Sequence, residues 1–293
     1  MQPFVIYTDA SADLNPAFLR AEDIRVLPMT CLSREEEPRT LTGYESDEEL
    51  RDFYRMMWEG AMFSTSQITP GEYEEAFAPV LEAGQDIVYL ALSSGLTSTV
   101  ESANMAAENL NRKYAPARVH VVDTLSATGG IDLLAEKAVT IRGWGLNAAE
   151  AATAIRELAK KVCHVFVVSD LMHLSRGGRI SSATAVVGTV LHVLPILIID
   201  AEGKLQVIDR KRGEKSAVRE LRLLLESTWD KQDRNMYSVH GDCLAEAEMV
   251  EREIRSAVKD ARIEKRIISP VIGAHTGPGL FSIVYFGDRN KLK

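Results

Sequence analysis

The chain has 293 residues, of which 46% are hydrophobic and 26% charged, with a net charge of −8. That is enough for one large domain or two ordinary ones, and the acidic balance, with no basic run longer than Arg210-Lys211-Arg212, argues against a nucleic acid partner. No apolar run reaches the roughly 18–20 residues that span a bilayer: the longest, 186–199, is broken by Gly188, His192 and Pro195.

Residues 4–7 form a short apolar run ending at Thr8-Asp9 and read as a buried strand, as do residues 24–28. Helical spacing over 47–58 puts Leu50, Phe53, Tyr54 and Met57 on one side. Residues 71–83 read as a helix, 87–92 as a continuous apolar strand and 96–111 as a helix. Residues 119–122 read as a strand ending at Asp123, followed by a helix over 128–142. Strands that alternate with helices and are apolar on both faces predict a parallel sheet covered on both sides.

After Gly143-Trp144-Gly145 comes an Ala-rich helix over 148–161, and the pattern then changes. Strands are predicted over 162–168, 195–199, 204–209, 236–240, 263–268 and 280–286, and helices over 214–226 and 245–259. Ala201-Glu202-Gly203 is the turn of a hairpin. The fold class is therefore α/β in two domains: an N-terminal parallel-sheet domain over 1–150, and a C-terminal α+β domain over 151–293 with a mixed sheet and helices on one face. Cys31, Cys163 and Cys243 are far apart and lack metal-ligand spacing, so free thiols are expected and neither a disulfide framework nor a zinc site. The amino terminus has no basic region before its apolar stretch, unlike a signal peptide, and a cytoplasmic protein is expected.

The polar residues collect at strand ends, where open α/β sheets place ligands. Thr8-Asp9-Ala10-Ser11-Ala12-Asp13-Leu14 follows the first strand, and either Asp13 or Asn15 can cap a helix beginning at Pro16. Asp9 and Asp13 alone make a poor metal site, since the sequence places no third carboxylate beside them. The segment 63–70 carries the hydroxyls of Ser64, Thr65, Ser66 and Thr69 and the amide of Gln67 just before a helix. Capping accounts for Thr69; Thr65, Ser66 and Gln67 are left free to hold a polar head group. Ser93-Ser94-Gly95-Leu96-Thr97-Ser98-Thr99 leads from a buried strand straight into a helix, whose N-terminus suits an anion. It lacks the spacing of a phosphate loop, and Leu92 stands where a nucleophile elbow needs glycine. Val121-Val122-Asp123-Thr124-Leu125-Ser126 ends a third strand in the same polar way.

In the second half, Ser175-Arg176-Gly177-Gly178-Arg179-Ile180-Ser181 is a Gly-Gly turn between two cations, and Arg179 can fork onto a carboxylate or phosphate. Lys211-Arg212-Gly213 is a basic turn before a helix. Gly273-Ala274-His275-Thr276-Gly277-Pro278-Gly279 holds one His and one Thr on a backbone path fixed by three glycines and a proline.

Taken in order, these segments resemble the DegV family, the fatty-acid-binding subunits of bacterial fatty acid kinase. The carrying motifs are T-D-A-S-A-D-L at 8–14, T-S-Q at 65–67, S-S-G-L-T-S-T at 93–99, V-V-D-T at 121–124, G-G-R-I-S at 177–181, K-R-G at 211–213 and G-A-H-T-G-P-G at 273–279. The resemblance implies a long-chain fatty acid such as palmitate lying between two domains. Its carboxylate would be held by Thr65 and by Ser93 or Ser94, with His275 and Arg179 close to the head group. It implies an ATP-dependent kinase partner, met near Lys211 and Arg212, that phosphorylates the bound acid to acyl phosphate for phospholipid synthesis. It assigns the chain itself no catalytic residue, no metal and no cofactor beyond the bound acid, and is compatible with transient membrane contact. The sequence departs from the pattern at Ile68-Thr69-Pro70, where P-S is common, at Ser175-Arg176, where lysines often stand, and at His192-Val193-Leu194, which replaces N-I-K. A competing reading makes the chain an esterase or thioesterase, with Ser94 as nucleophile, His275 as base and Asp123 orienting it.

Overall fold

The computed structural model describes residues 3–33, 39–41, 46–186 and 192–292. Its first half runs β1 (Phe4–Asp9), α1 (Pro16–Ala21), β2 (Ile24–Leu27), β3 (Met29–Ser33), β4 (Arg39–Leu41), α2 (Asp47–Trp58), β5 (Phe63–Ser66), α3 (Pro70–Glu82), β6 (Asp86–Ala91), α4 (Thr99–Lys113), β7 (Val119–Asp123) and α5 (Gly129–Gly143). The order β2-β1-β6-β7, parallel throughout, forms one sheet, and β4-β3-β5 forms a second, small antiparallel one.

Period-two alternation divides each central strand between two cores. Val5 and Tyr7 of β1 and Ile87 and Tyr89 of β6 face a layer with Tyr73, Phe77, Ala103 and Ala106 of α3 and α4. Phe4, Ile6, Val88 and Leu90 face the opposite side, with Ile131, Leu134 and Ala138 of α5. That is why these strands read as continuous apolar runs: neither face meets water. The helices start where the chain supplies caps. Ser46 with Glu49, and Thr69 with Glu72, each form a reciprocal capping box at α2 and α3, and Pro70 occupies the first turn of α3. Leu50, Phe53, Tyr54 and Met57 form the buried face of α2, as the spacing predicts.

The second half runs α6 (Ala148–Ala159), β8 (Val162–Val167), α7 (Met172–Arg176), α8 (Ser182–Val186), β9 (Val193–Ile199), β10 (Leu205–Arg212), α9 (Glu214–Thr228), β11 (Asn235–His240), α10 (Leu244–Ala257), β12 (Arg262–Ile267), α11 (Pro270–Thr276) and β13 (Phe281–Phe286). The sheet order is β10-β9-β8-β13-β11-β12; β11 and β12 are parallel and the other pairs antiparallel. The mixed sheet and the β9–β10 hairpin thus match expectation.

Val165, Val167, Ile196, Ile198 and Ile283 turn to Val218, Leu221 and Leu225 of α9 and Val250 and Ile254 of α10. The other face, with Phe166, Leu197, Ile199, Val239 and Val284, belongs to the same core as α5. Helix α5 is buried over its whole first half, from Gly129 to Ala135, because it lies between the two sheets. The predicted apolar run 186–199 falls partly outside the described residues; from Val193 onward it is β9. Among the described residues no helix is long and apolar enough to cross a membrane.

Three elements differ from the sequence reading. The polar stretch at Thr65 is a strand, β5, paired with β3. The Gly- and Pro-rich stretch at His275 contains a helix, α11, which packs against β3, β5 and α2 although it follows β12 of the other sheet. Lys211 and Arg212 are not a turn but the last two residues of β10; the turn begins at Gly213, whose φ is +78°.

Candidate functional site

Strand β5 and helix α11 bring two predicted residues together: Thr65 Oγ1 lies 2.8 Å from His275 Nε2. The helix is fixed at its start by the loop after β1. Ser269 donates its N–H to Asp13 Oδ1 at 2.9 Å and its hydroxyl to Ala10 O at 3.1 Å. It is fixed along its side by Tyr54, which donates to Ile268 O at 2.9 Å and leaves no room for a side chain at Gly273. His275 in turn sits against Gly177, where a Cβ would lie 2.7 Å from Nδ1. The glycine at 177 is therefore the condition for the imidazole's place.

Arg179 follows that turn. Its Nε donates to Leu96 O at 3.1 Å and its Nη1 to Gly177 O, so backbone carbonyls aim a half-buried guanidinium and leave further N–H donors over. Burial pulls its pKa down, and among the described residues no carboxylate offsets that pull. Burial, with Arg179 nearby as the lesser cause, lowers His275 to about 4, so the imidazole is neutral at pH 7. A neutral imidazole beside an unpaired guanidinium and a hydroxyl is a set of donors without an acid.

These groups open onto a cavity of about 600 Å³, lined at this end by Thr65, Gln67, Ser94, Ser98, Arg179 and His275. The rest of the lining is largely apolar, with Leu92, Phe166, Leu174, Ile199, Val239 and Leu280 among its residues. The volume is in the usual range for sites that enclose a small organic ligand. A pocket that combines apolar walls with a cluster of hydroxyl, imidazole and guanidinium donors suits an amphiphile whose head is an anion.

The two serines are not equivalent. Ser93 is fully buried; it donates to Gly203 O of the β9–β10 hairpin at 2.8 Å and accepts from Gly95 N–H at 3.1 Å. Ser94 is exposed and lines the cavity. Its backbone N–H is held by Asp123 Oδ1 at 3.2 Å, the carboxylate that also takes Leu125 N–H at 3.0 Å. Helix α4 begins at Thr99, three residues later than predicted, and its N-cap Ser98 makes no side-chain cap bond.

This wiring bears on the esterase reading. His275 is bonded to Thr65 and Asp123 to backbone N–H groups, so the Ser94–His275–Asp123 relay is not assembled. The loop after β1 has a structural role. Asp9 accepts from Ser11 N–H and hydroxyl, Tyr89 Oη at 2.7 Å and Leu92 N–H at 3.3 Å, and Asn15, not Asp13, caps α1. Among the described residues no group of three or more His, Cys, Asp or Glu could hold a metal. Lys211 lies outside the cavity lining, in ion pairs with Asp209 at 2.7 Å and Glu220 at 2.8 Å, and Arg212 beside it is exposed.

A family model described as "Uncharacterised protein, DegV family" matches residues 3–288. A DegV domain-containing protein of Clostridium perfringens is 35% identical over 294 residues, 99% of this chain and 100% of its own length. A solved structure described as fatty acid binding of a DegV family protein, from Thermus thermophilus, has a TM-score of 0.85 and 25% identity, covering 98% of this chain and 100% of that one. A DegV lipid binding protein from Thermotoga maritima has a TM-score of 0.84 and 26% identity, covering 97% and 98%.

Proposed function

The chain belongs to the DegV family, and on that premise we propose that it binds a long-chain fatty acid in the cavity and presents the carboxylate to an ATP-dependent kinase subunit. The observation that carries this reading is the donor set at one end of an apolar cavity: the Thr65–His275 pair beside an Arg179 guanidinium with no acid partner among the described residues. Burying about fourteen methylenes is worth roughly 11 kcal/mol at ~0.8 kcal/mol each, before ordering costs. A membrane offers the chain a similar transfer energy. A carrier must therefore enclose the chain and also bind the head, which the two ends of this cavity are suited to do.

In this reading Thr65, Ser94, Arg179 and His275 hold the carboxylate, and Ser93 acts through the loop that positions Ser94. The protein supplies a bound substrate, and the phosphoryl-transfer groups belong to the partner. The end of β10, where Arg212 is exposed and Lys211 is ion-paired to Asp209 and Glu220, is assigned to the partner because it lies apart from the cavity. We take residues 1–150 and 151–293 as two domains, a reading supported by the separate parallel and mixed sheets, with α11 packing on β3 and β5 of the first half. The test is transfer of labelled phosphate from ATP to palmitate by a purified bacterial fatty acid kinase subunit, with and without this protein. Transfer only in its presence supports the reading; transfer that is indifferent to it contradicts the partner role.

A further inference from the structure

The turn between β9 and β10 has the sequence of an ordinary surface hairpin, yet Gly203 within it is buried while Glu202 and Lys204 on either side are exposed. What covers it belongs to the first half of the chain. A Cβ on Gly203 would overlap Ser93 Oγ and lie 3.2 Å from Leu125 Cδ2. A Cβ on Gly95 would overlap the Gly203 carbonyl group and lie 2.8 Å from Glu202 O. The two backbones therefore meet glycine against glycine, in a socket formed by the loops that follow β6 and β7. Gly203 also has φ +75°, which side-chain-bearing residues adopt only at a cost.

The turn is braced internally. Asp200 Oδ1 accepts the N–H groups of Glu202 at 3.0 Å and Lys204 at 2.9 Å, and Gly203 donates its own N–H to Asp200 O at 3.0 Å. The loop it meets is wound about Ser93, whose hydroxyl donates to Gly203 O at 2.8 Å. The Ser93 carbonyl accepts the N–H groups of Leu96 at 3.0 Å and Thr97 at 3.2 Å. Ser94 is the next residue along this loop, and Leu96 O is the carbonyl that takes Arg179 Nε at 3.1 Å. Ile199 and Leu205, one on each side of the turn, line the same cavity as Ser94 and Arg179.

We infer that Gly203 is a positioning residue for the head-group site: seated on Ser93 and Gly95, it sets where Ser94 and Arg179 stand, and so how strongly the cavity prefers a carboxylate to an uncharged head. This deepens the fatty-acid reading and rests on it. Ser94 and Arg179 come from opposite halves of the chain, and the loop over 93–97 is where their places are fixed relative to each other. Pushing the turn off this loop by the size of one methyl group moves both supports at once. Hydrogen bonds weaken steeply with distance and angle, whereas contacts with an alkyl chain are non-directional. A shifted loop therefore costs the carboxylate more than the chain. By reciprocity, a carboxylate held by Ser94 and Arg179 favours the seated turn.

The test compares palmitate with 1-hexadecanol, a chain of the same length with an uncharged head, by displacement of a fluorescent fatty acid from the full chain. Gly203→Ala and Gly95→Ala each cut the preference for palmitate over 1-hexadecanol by about tenfold, the loss of one hydrogen bond to a charged group, and leave 1-hexadecanol binding nearly unchanged. A preference that survives in either variant, whether the two affinities fall together or hold, overturns the inference and leaves fatty-acid binding intact. Unaltered protein that takes up neither ligand overturns both readings. Hydrogen exchange on the unaltered protein gives a second measurement that needs no variant. Palmitate slows exchange at Gly203 and Lys204 together with residues 94–97, and does so more than 1-hexadecanol. Equal protection of the turn by the two ligands, or protection of 94–97 alone, contradicts the inference.

Discussion

Thr65 and His275 stand 210 residues apart in sequence and 2.8 Å apart in space. One is carried on the small antiparallel sheet and the other on a helix that returns to it from the far side of the mixed sheet. Both residues line the cavity, as does Arg179.

If Thr65 hydrogen-bonds a ligand carboxylate, Thr65→Ala should weaken palmitate binding by roughly tenfold. That is the loss expected for a hydrogen bond to a charged group, about 1.5 kcal/mol. Thr65→Ser should keep most of the affinity. Displacement of a fluorescent fatty acid distinguishes the two variants; equal affinity in the alanine variant would remove Thr65 from the site.

The two serines make opposite predictions. Ser94→Ala should weaken binding with little change in stability, since its hydroxyl lines the cavity. Ser93→Ala should lower stability by about 1–3 kcal/mol, because it leaves the buried Gly203 carbonyl without its donor. Urea denaturation and palmitate titration of both variants would separate the roles. A binding loss confined to Ser93→Ala would reverse the assignment.

Arg179→Met removes a cation with no acid partner among the described residues and should cost at least about 2 kcal/mol of palmitate affinity, as expected for charge-assisted hydrogen bonds. The His275 ring should titrate near 4 in the free protein and move upward on binding, because a carboxylate favours the imidazolium that burial and Arg179 oppose. The folded value lies below the ordinary 6.5, so His275 contributes stability that is complete above pH 6.5 and is lost as pH falls through about 4. Histidine nuclear magnetic resonance with and without palmitate checks this; an unmoved titration would place the carboxylate elsewhere.

Asp13 has the opposite sign. Burial raises its pKa from 3.8 to about 7, against the hydrogen bonds from Ser269, and Asp132, whose Oδ1 takes the Asp13 N–H at 3.0 Å, is raised as well. The protonated form is favoured by folding. Its contribution is complete below pH 3.8 and is lost as pH rises through about 7, with a slope of up to about 1.4 kcal/mol per pH unit. Asp13→Asn should flatten that part of the pH–stability curve. A slope unchanged in the variant would exclude Asp13 as its source.

Much of the scaffold could be read from the sequence because both cores are regular. The apolar runs at β1 and β6 and the helical spacing of α2 follow directly from which faces are buried. Strand β5 was not legible: its four residues, Phe-Ser-Thr-Ser, carry a single apolar side chain, and the pairing with β3 supplies what propensity does not. Helix α11 was hidden by Gly273 and the glycines that follow its end, whose conformational freedom suggests a loop, whereas Gly273 is there to admit Tyr54. The motif residues Thr65, Ser94, Arg179 and His275 do converge on one cavity. The distinction between Ser93 and Ser94 depends on a contact with Gly203, more than a hundred residues away, which no local pattern contains.

The most direct measurement is native mass spectrometry of the purified protein, followed by extraction and identification of whatever is bound. The account predicts an added mass equal to one long-chain fatty acid, diminished in Thr65→Ala and Arg179→Met. A protein that carries no such mass and takes up neither palmitate nor oleate when they are supplied would contradict it.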